Sequence, residues 1–151
     1  MAAARDPQRL NLLAEDEEDL KIVSAYLQDA IVRVGEIAYL PKSRRFALLA
    51  NRYCWECDDA AKAGSRKLAG VHFDGVIGAK STRIRQSNPD AVLQLLAVQY
   101  APASGEGGVV DLCFAGGGRI RLEVEIIDAS LRDLAGPWQA QARPAHQLED
   151  N

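Results

Sequence analysis

Apolar and polar residues alternate most regularly from Arg119 to Ile126. Ile120, Leu122, Val124 and Ile126 fall on one side of an extended chain, with two arginines and two glutamates on the other. The pattern predicts a half-buried strand with those four apolar residues in the core. Val110, Leu112 and Phe114 supply a matching strand before it, and Ala115-Gly116-Gly117-Gly118 reads as the tight loop between them. Period-two stretches also run from Val32 to Leu40 and from Arg45 to Tyr53, joined by a turn at Pro41-Lys42-Ser43-Arg44. Residues 56–65 lack apolar periodicity and read as an exposed loop. Arg66 to Ile84 is again strand-like, with Asp74-Gly75 marking either a hairpin turn or a bulge in one long strand. After a break at Ser87-Asn88-Pro89-Asp90, residues 91–100 read as a strand, although their Leu, Ala and Gln also suit a helix.

The N-terminal part differs. A short strand is predicted over Leu10 to Ala14, and then Leu20, Val23, Leu27 and Ala30 form one helical stripe. The acidic run Glu15-Asp16-Glu17-Glu18-Asp19 lies at the start of that helix, where unpaired N–H groups and the helix dipole favour carboxylates. Near the other end, Asp128 is expected to cap a short helix through Leu134, ended by Gly136-Pro137. The fold class is α+β. One domain over residues 10–138 holds an antiparallel meander curled into a barrel or two packed sheets, with one N-terminal and one short C-terminal helix. The element order is also that of a pleckstrin-homology-like barrel, an analogy that carries no function. Residues 1–9 are expected to be a disordered N-terminus and 139–151 an extended tail.

Composition narrows the class. Leu, Ile, Val and Phe make up 38 of the 151 residues, too many for a disordered chain. No apolar run approaches the ~20 residues of a membrane span, and no signal-peptide core follows the first residues. Three cysteines do not make a secreted disulfide framework. A cytoplasmic protein without membrane contact is expected. Net charge is −3, distributed as −4 over residues 1–32, +6 over 33–85 and −5 over 86–151. The favoured reading is that the acidic flanks neutralise the basic middle on folding; the alternative is an anionic partner for the middle.

Candidate chemistry is sparse. Cys54-Trp55-Glu56-Cys57 has the spacing of half a zinc site or a redox motif, but no second pair completes it. Cys54 and Cys57 are therefore expected to be two ordinary cysteines at a strand end, and no metal or cofactor is expected. The glycines at 116–118 lead into a strand, whereas a phosphate loop leads into a helix. Glu123 and Glu125 share a strand face with Arg119 and Arg121, which would hold both ionised. His72 and His146 stand apart from any nucleophile. The one basic neighbourhood, Lys62, Arg66, Lys67, Lys80, Arg83 and Arg85, is a candidate anion-binding surface. Phe73 is the only aromatic residue nearby and is placed in the core, so nucleic-acid binding is not favoured.

Several phrases, in order, carry a resemblance. They include Leu27-Gln28-Asp29-Ala30, Tyr39-Leu40-Pro41, Arg44-Arg45-Phe46, His72-Phe73-Asp74, Phe114-Ala115-Gly116-Gly117-Gly118, Leu131-Arg132-Asp133-Leu134 and Ala142-Arg143-Pro144-Ala145-His146. Together they resemble a small bacterial family known only as domain of unknown function number 2948, from about Leu10 to the C-terminus. The Cys54–Cys57 spacing lies outside that pattern. The resemblance implies no activity, cofactor or catalytic residue. What is expected is a non-enzymatic binding or protein-interaction module, as a homodimer or with an unknown protein partner. The alternatives are an anion- or nucleic-acid-binding protein using residues 62–85, and an enzyme or carrier with an apolar pocket inside the barrel.

Overall fold

The computed structural model describes residues 9–57 and 64–139. Most of the expected disordered N-terminus and extended tail, and the middle of the 56–65 loop, lie outside the described residues. The element order is β1 (Asn11–Ala14), α1 (Glu17–Leu27), β2 (Ala30–Arg33), β3 (Ile37–Leu40), β4 (Arg45–Tyr53), β5 (Ser65–Asp74), β6 (Val76–Thr82), β7 (Val92–Pro102), β8 (Gly108–Phe114), β9 (Arg119–Val124) and β10 (Ala129–Gln139). Two 3-10 turns, Val34–Glu36 and Ala115–Gly117, interrupt it.

All strands join one antiparallel sheet in the order β1-β10-β5-β4-β2-β7-β8-β9-β6, with β3 paired to β4 off that path. Alternate residues of these strands, such as Phe46, Leu48, Val71, Phe73, Leu112 and Leu122, meet in a single apolar core. The sheet curls around this core and does not close into a barrel. Helix α1 adds Leu20, Val23 and Leu27 to the core. Its start follows the acidic run: the Asp16 carboxylate accepts the Asp19 N–H at 2.8 Å, and the Asp19 carboxylate accepts the Glu15 N–H at 3.1 Å.

Four expectations are corrected. The strand predicted over 32–40 is split by the 3-10 turn at Val34–Glu36, so that β2 and β3 take different neighbours. Asp74-Gly75 is neither a hairpin turn nor a bulge. Gly75 has φ +73°, and the chain turns a corner there from β5, paired with β4 and β10, into β6, paired with β9. Ile126 is 60% exposed, because β9 ends at Val124 and the chain turns back toward Gly75. The short helix expected from Asp128 to Leu134 is strand β10, with Ala129, Leu131 and Asp133 facing inward. Gly136, at φ +99°, falls where the β10–β5 register shifts and does not end a helix. The C-terminal helix of a pleckstrin-homology-like order is thus replaced, among the described residues, by a strand.

Candidate functional site

The split between β2 and β3 creates an opening. Val34 N–H donates to Ala91 O at 2.9 Å and Gly35 N–H to Pro89 O at 2.8 Å, which draws the 88–91 segment against the turn. A Cβ on Gly35 would lie 2.9 Å from Pro89, so only glycine permits this approach. β7 pairs with β2 but not with β3. Among the described residues the outer edge of β3 therefore has no strand partner, and β6, last in the sheet order, has a second edge that no strand pairs. Tyr39 reaches across from β3 and donates its hydroxyl to Val76 O at 3.0 Å. Beside this link lies a hollow of about 300 Å³. Ile37, Phe46, Ile84 and Ile120 supply its apolar lining, and Lys80, Ser81 and Gln86 its polar rim. Gln86 donates to the Ser81 hydroxyl.

The same rim is basic. Residues 75–89 and 113–122 contain Lys80, Arg83, Arg85, Arg119 and Arg121 and no carboxylate. Register brings them together, with Lys80 opposite Arg121 and Thr82 opposite Arg119. Arg121 is held by a bidentate pair with Asp111 at 2.9 and 3.0 Å, which raises its pKa above the ordinary value. No carboxylate among the described residues pairs with Lys80, Arg83, Arg85 or Arg119. Arg83 has φ +58°, in the left-handed region that L-residues seldom adopt. A Cβ on Gly117 would lie 2.9 Å from its Nη1, so the glycine turn makes room for this guanidinium.

A second charged group lies at the other end of β4 and β5. Arg52, Lys67 and Asp133 have fully buried side chains. Arg52 donates two hydrogen bonds to Asp133, both 2.8 Å, and two to Glu56, at 3.1 and 2.5 Å. Lys67 Nζ lies 3.9 Å from both carboxylates. Asp133 also accepts the Leu10 N–H at 2.8 Å, fastening the entry to β1. Burial works against the Arg52 charge, but the hydrogen bonds it donates to Asp133 and Glu56 outweigh it, so its pKa lies above the ordinary value. Among the described residues the group sets two cations against two anions, and the Arg52–Asp133 hydrogen bonds tie β4 to β10, which makes it a structural pin. Cys54 and Cys57 form a disulfide across the turn that presents Glu56. This corrects the expectation of two ordinary cysteines. β4 ends at Tyr53 and the chain turns there, which brings the two Cα atoms to 5.4 Å, within bridging distance.

The predicted basic neighbourhood is therefore divided. Lys67 is interior and no surface anion site. Arg66 lies at the far end of β5 from the Gly75 corner, donating to Asn51 O at 2.9 Å. Lys62 lies outside the described residues. Lys80 lines the hollow, Arg83 and Arg85 flank its lining residue Ile84 in the chain, and the register sets Arg119 opposite Thr82, beside Arg83. Glu125 is paired with Arg44 at 2.9 Å. His72 Nδ1 lies 3.4 Å from Asp74, and His146 lies outside the described residues. A larger hollow of about 500 Å³ runs between α1 and β7, but several of its polar groups are engaged elsewhere. Asp111 holds Arg121, Lys21 lies 3.5 Å from Glu18, and the Ser24 hydroxyl accepts the Val98 N–H.

The architecture is thus an open, curled antiparallel sheet with one helix and an unpaired basic rim. The chain belongs to the family described as protein of unknown function (DUF2948), which it matches over residues 10–146. No curated protein and no solved structure shows a significant match to it.

Proposed function

We propose that the protein is a binding module that acts without catalysis and takes a small, largely apolar molecule into the seam between β3 and β6. One observation carries this reading: two strand edges without partners flank an apolar hollow. Proteins ordinarily cover or blunt such edges, and a volume of about 300 Å³ is at the small end of ligand sites. No helix among the described residues is long and apolar enough to cross a membrane. In the cytoplasm, where we place the protein, the Cys54–Cys57 bridge would be kept reduced.

The test uses the neutral fluorescent probe N-phenyl-1-naphthylamine. Saturable one-to-one binding is expected, lost in Ala79→Trp, which fills the mouth of the seam, with the unfolding midpoint unchanged. No binding, or binding indifferent to Ala79→Trp, overturns the reading. A homodimer is the second reading, favoured by β1, which ends the sheet order and carries Leu13 at 68% exposure. Light scattering across a concentration series decides it: a constant monomer mass refutes the dimer.

A further inference from the structure

We propose that the molecule held in the seam is an amphipathic anion, its hydrocarbon chain in the hollow and its carboxylate or phosphate head on Lys80, Arg83, Arg85 and Arg119. This rests on the seam being a binding site and adds the chemistry of its ligand.

Three observations support the head-group assignment. First, cations and hollow are continuous. Lys80 is on the rim, and Ile84, which lines the hollow, stands between Arg83 and Arg85 in the chain. Second, no carboxylate among the described residues pairs with these cations; Arg33, Lys42 and Arg132 share that state, but none of those three lines the hollow, and most other cations are held. Arg44 holds Glu125, Arg45 holds Asp74, Arg52 holds Asp133, and Arg121 holds Asp111. The exposed acids nearest in the chain to the rim segments are Asp90 and Glu123; Glu123 stands opposite Gly78, two residues from Lys80, and among the described residues neither acid forms an ion pair with these cations. Third, Arg83 is held in an unfavourable backbone conformation against a glycine turn. Strain of that kind persists only where the surrounding structure imposes it.

The lining also limits the ligand. Apolar walls ending at a polar rim suit one hydrocarbon chain capped by one charged group. They do not suit a nucleic-acid strand, which needs aromatic platforms and a long basic track.

Calorimetry with octanoate, octyl phosphate and 1-octanol tests the assignment, alongside the neutral probe. Both anions are expected to bind at least about tenfold tighter than 1-octanol, the size of one charge-assisted hydrogen bond. The double variant Lys80→Gln/Arg83→Gln should remove that preference, bringing the ratio of anion to 1-octanol affinity close to one. Raising salt should weaken the anions alone. If 1-octanol binds as tightly as the anions, the head-group inference fails while the seam reading stands. If neither the alcohol nor the neutral probe binds, the seam reading fails. Anion affinity indifferent to both salt and the double variant refutes the assigned residues. Tight, salt-sensitive binding of a single-stranded oligonucleotide without octanoate binding makes the site a nucleic-acid surface.

Discussion

Replacing Asp133 by Ala should be among the most destabilising single substitutions available. The side chain is fully buried, receives two hydrogen bonds from Arg52 and one from the Leu10 N–H, and is one of two anions facing two buried cations. Its removal takes from Arg52 two hydrogen bonds and from Lys67 one of its nearby carboxylates, and leaves the Leu10 N–H without its carboxylate. Breaking a buried pair by deleting one partner costs about 3–5 kcal/mol, because the other charge stays buried and uncompensated. Adding the orphaned N–H, at about 1–3 kcal/mol, places the loss at the top of that range. Urea unfolding followed by far-ultraviolet circular dichroism measures it. The informative comparison is Arg52→Met/Asp133→Leu, in which neither member of the pair is left charged. That variant should recover much of the loss, since apolar replacement of a buried pair is often neutral. A loss below about 1 kcal/mol for Asp133→Ala would refute the idea that this group pins β4, β5 and β10.

Three further outcomes are expected. Leu122→Ala, at a position with 0% exposure, should cost about 2–5 kcal/mol in the same assay; a loss under about half a kcal/mol would remove β9 from the core. Reducing the Cys54–Cys57 bridge should cost about 2 kcal/mol on the chain-entropy estimate for so short a loop, and a melting temperature unchanged by dithiothreitol would contradict this. Hydrogen bonding from Arg45 holds the Asp74 carboxyl below its ordinary pKa of about 3.9. The unfolded chain therefore takes up the proton first, and the Asp74 contribution is present above about pH 4 and lost as pH falls through the lower folded value. Asp74→Asn should flatten that part of the acid titration, and an identical acid transition in both proteins would refute the assignment.

Where the sequence was legible, one residue decided the period unaided. Arg45–Tyr53 and Arg119–Val124 alternate with no polar residue inward except Arg52, and both strands form as read. β10 was illegible for the converse reason. Its inward row is Ala129, Leu131, Asp133, and an acid at a core position reads as solvent-facing unless its buried partner is known. Arg52 is that partner, 81 residues away. The split of the 32–40 strand likewise depends on Pro89 packing against Gly35, a contact no local pattern announces. The basic segment was visible as a run of residues, but not which members survive as surface charge. Two of its six positions leave the rim through pairing on β5, and Arg119 joins it only through the β6–β9 register.

Charge pairing also separates the two ends of the molecule. The expectation that the flanks neutralise the basic middle holds where Asp133 meets Arg52 and Lys67, and where Glu125 meets Arg44. It does not hold at Lys80, Arg83 and Arg85: across from the end of β6 stand Arg119 and Arg121, and the one acid facing β6, Glu123, lies opposite Gly78 and forms no ion pair with them among the described residues. A chain of net charge −3 repels a small anion at long range. Screening confines both effects to about 8 Å at physiological ionic strength, so near the seam the local cations dominate. A buried paired group cannot attract a ligand, and an exposed unpaired one cannot help doing so. The distribution of partners, more than the number of basic residues, is what directs an anion to this rim and leaves the Arg52 group to hold the fold.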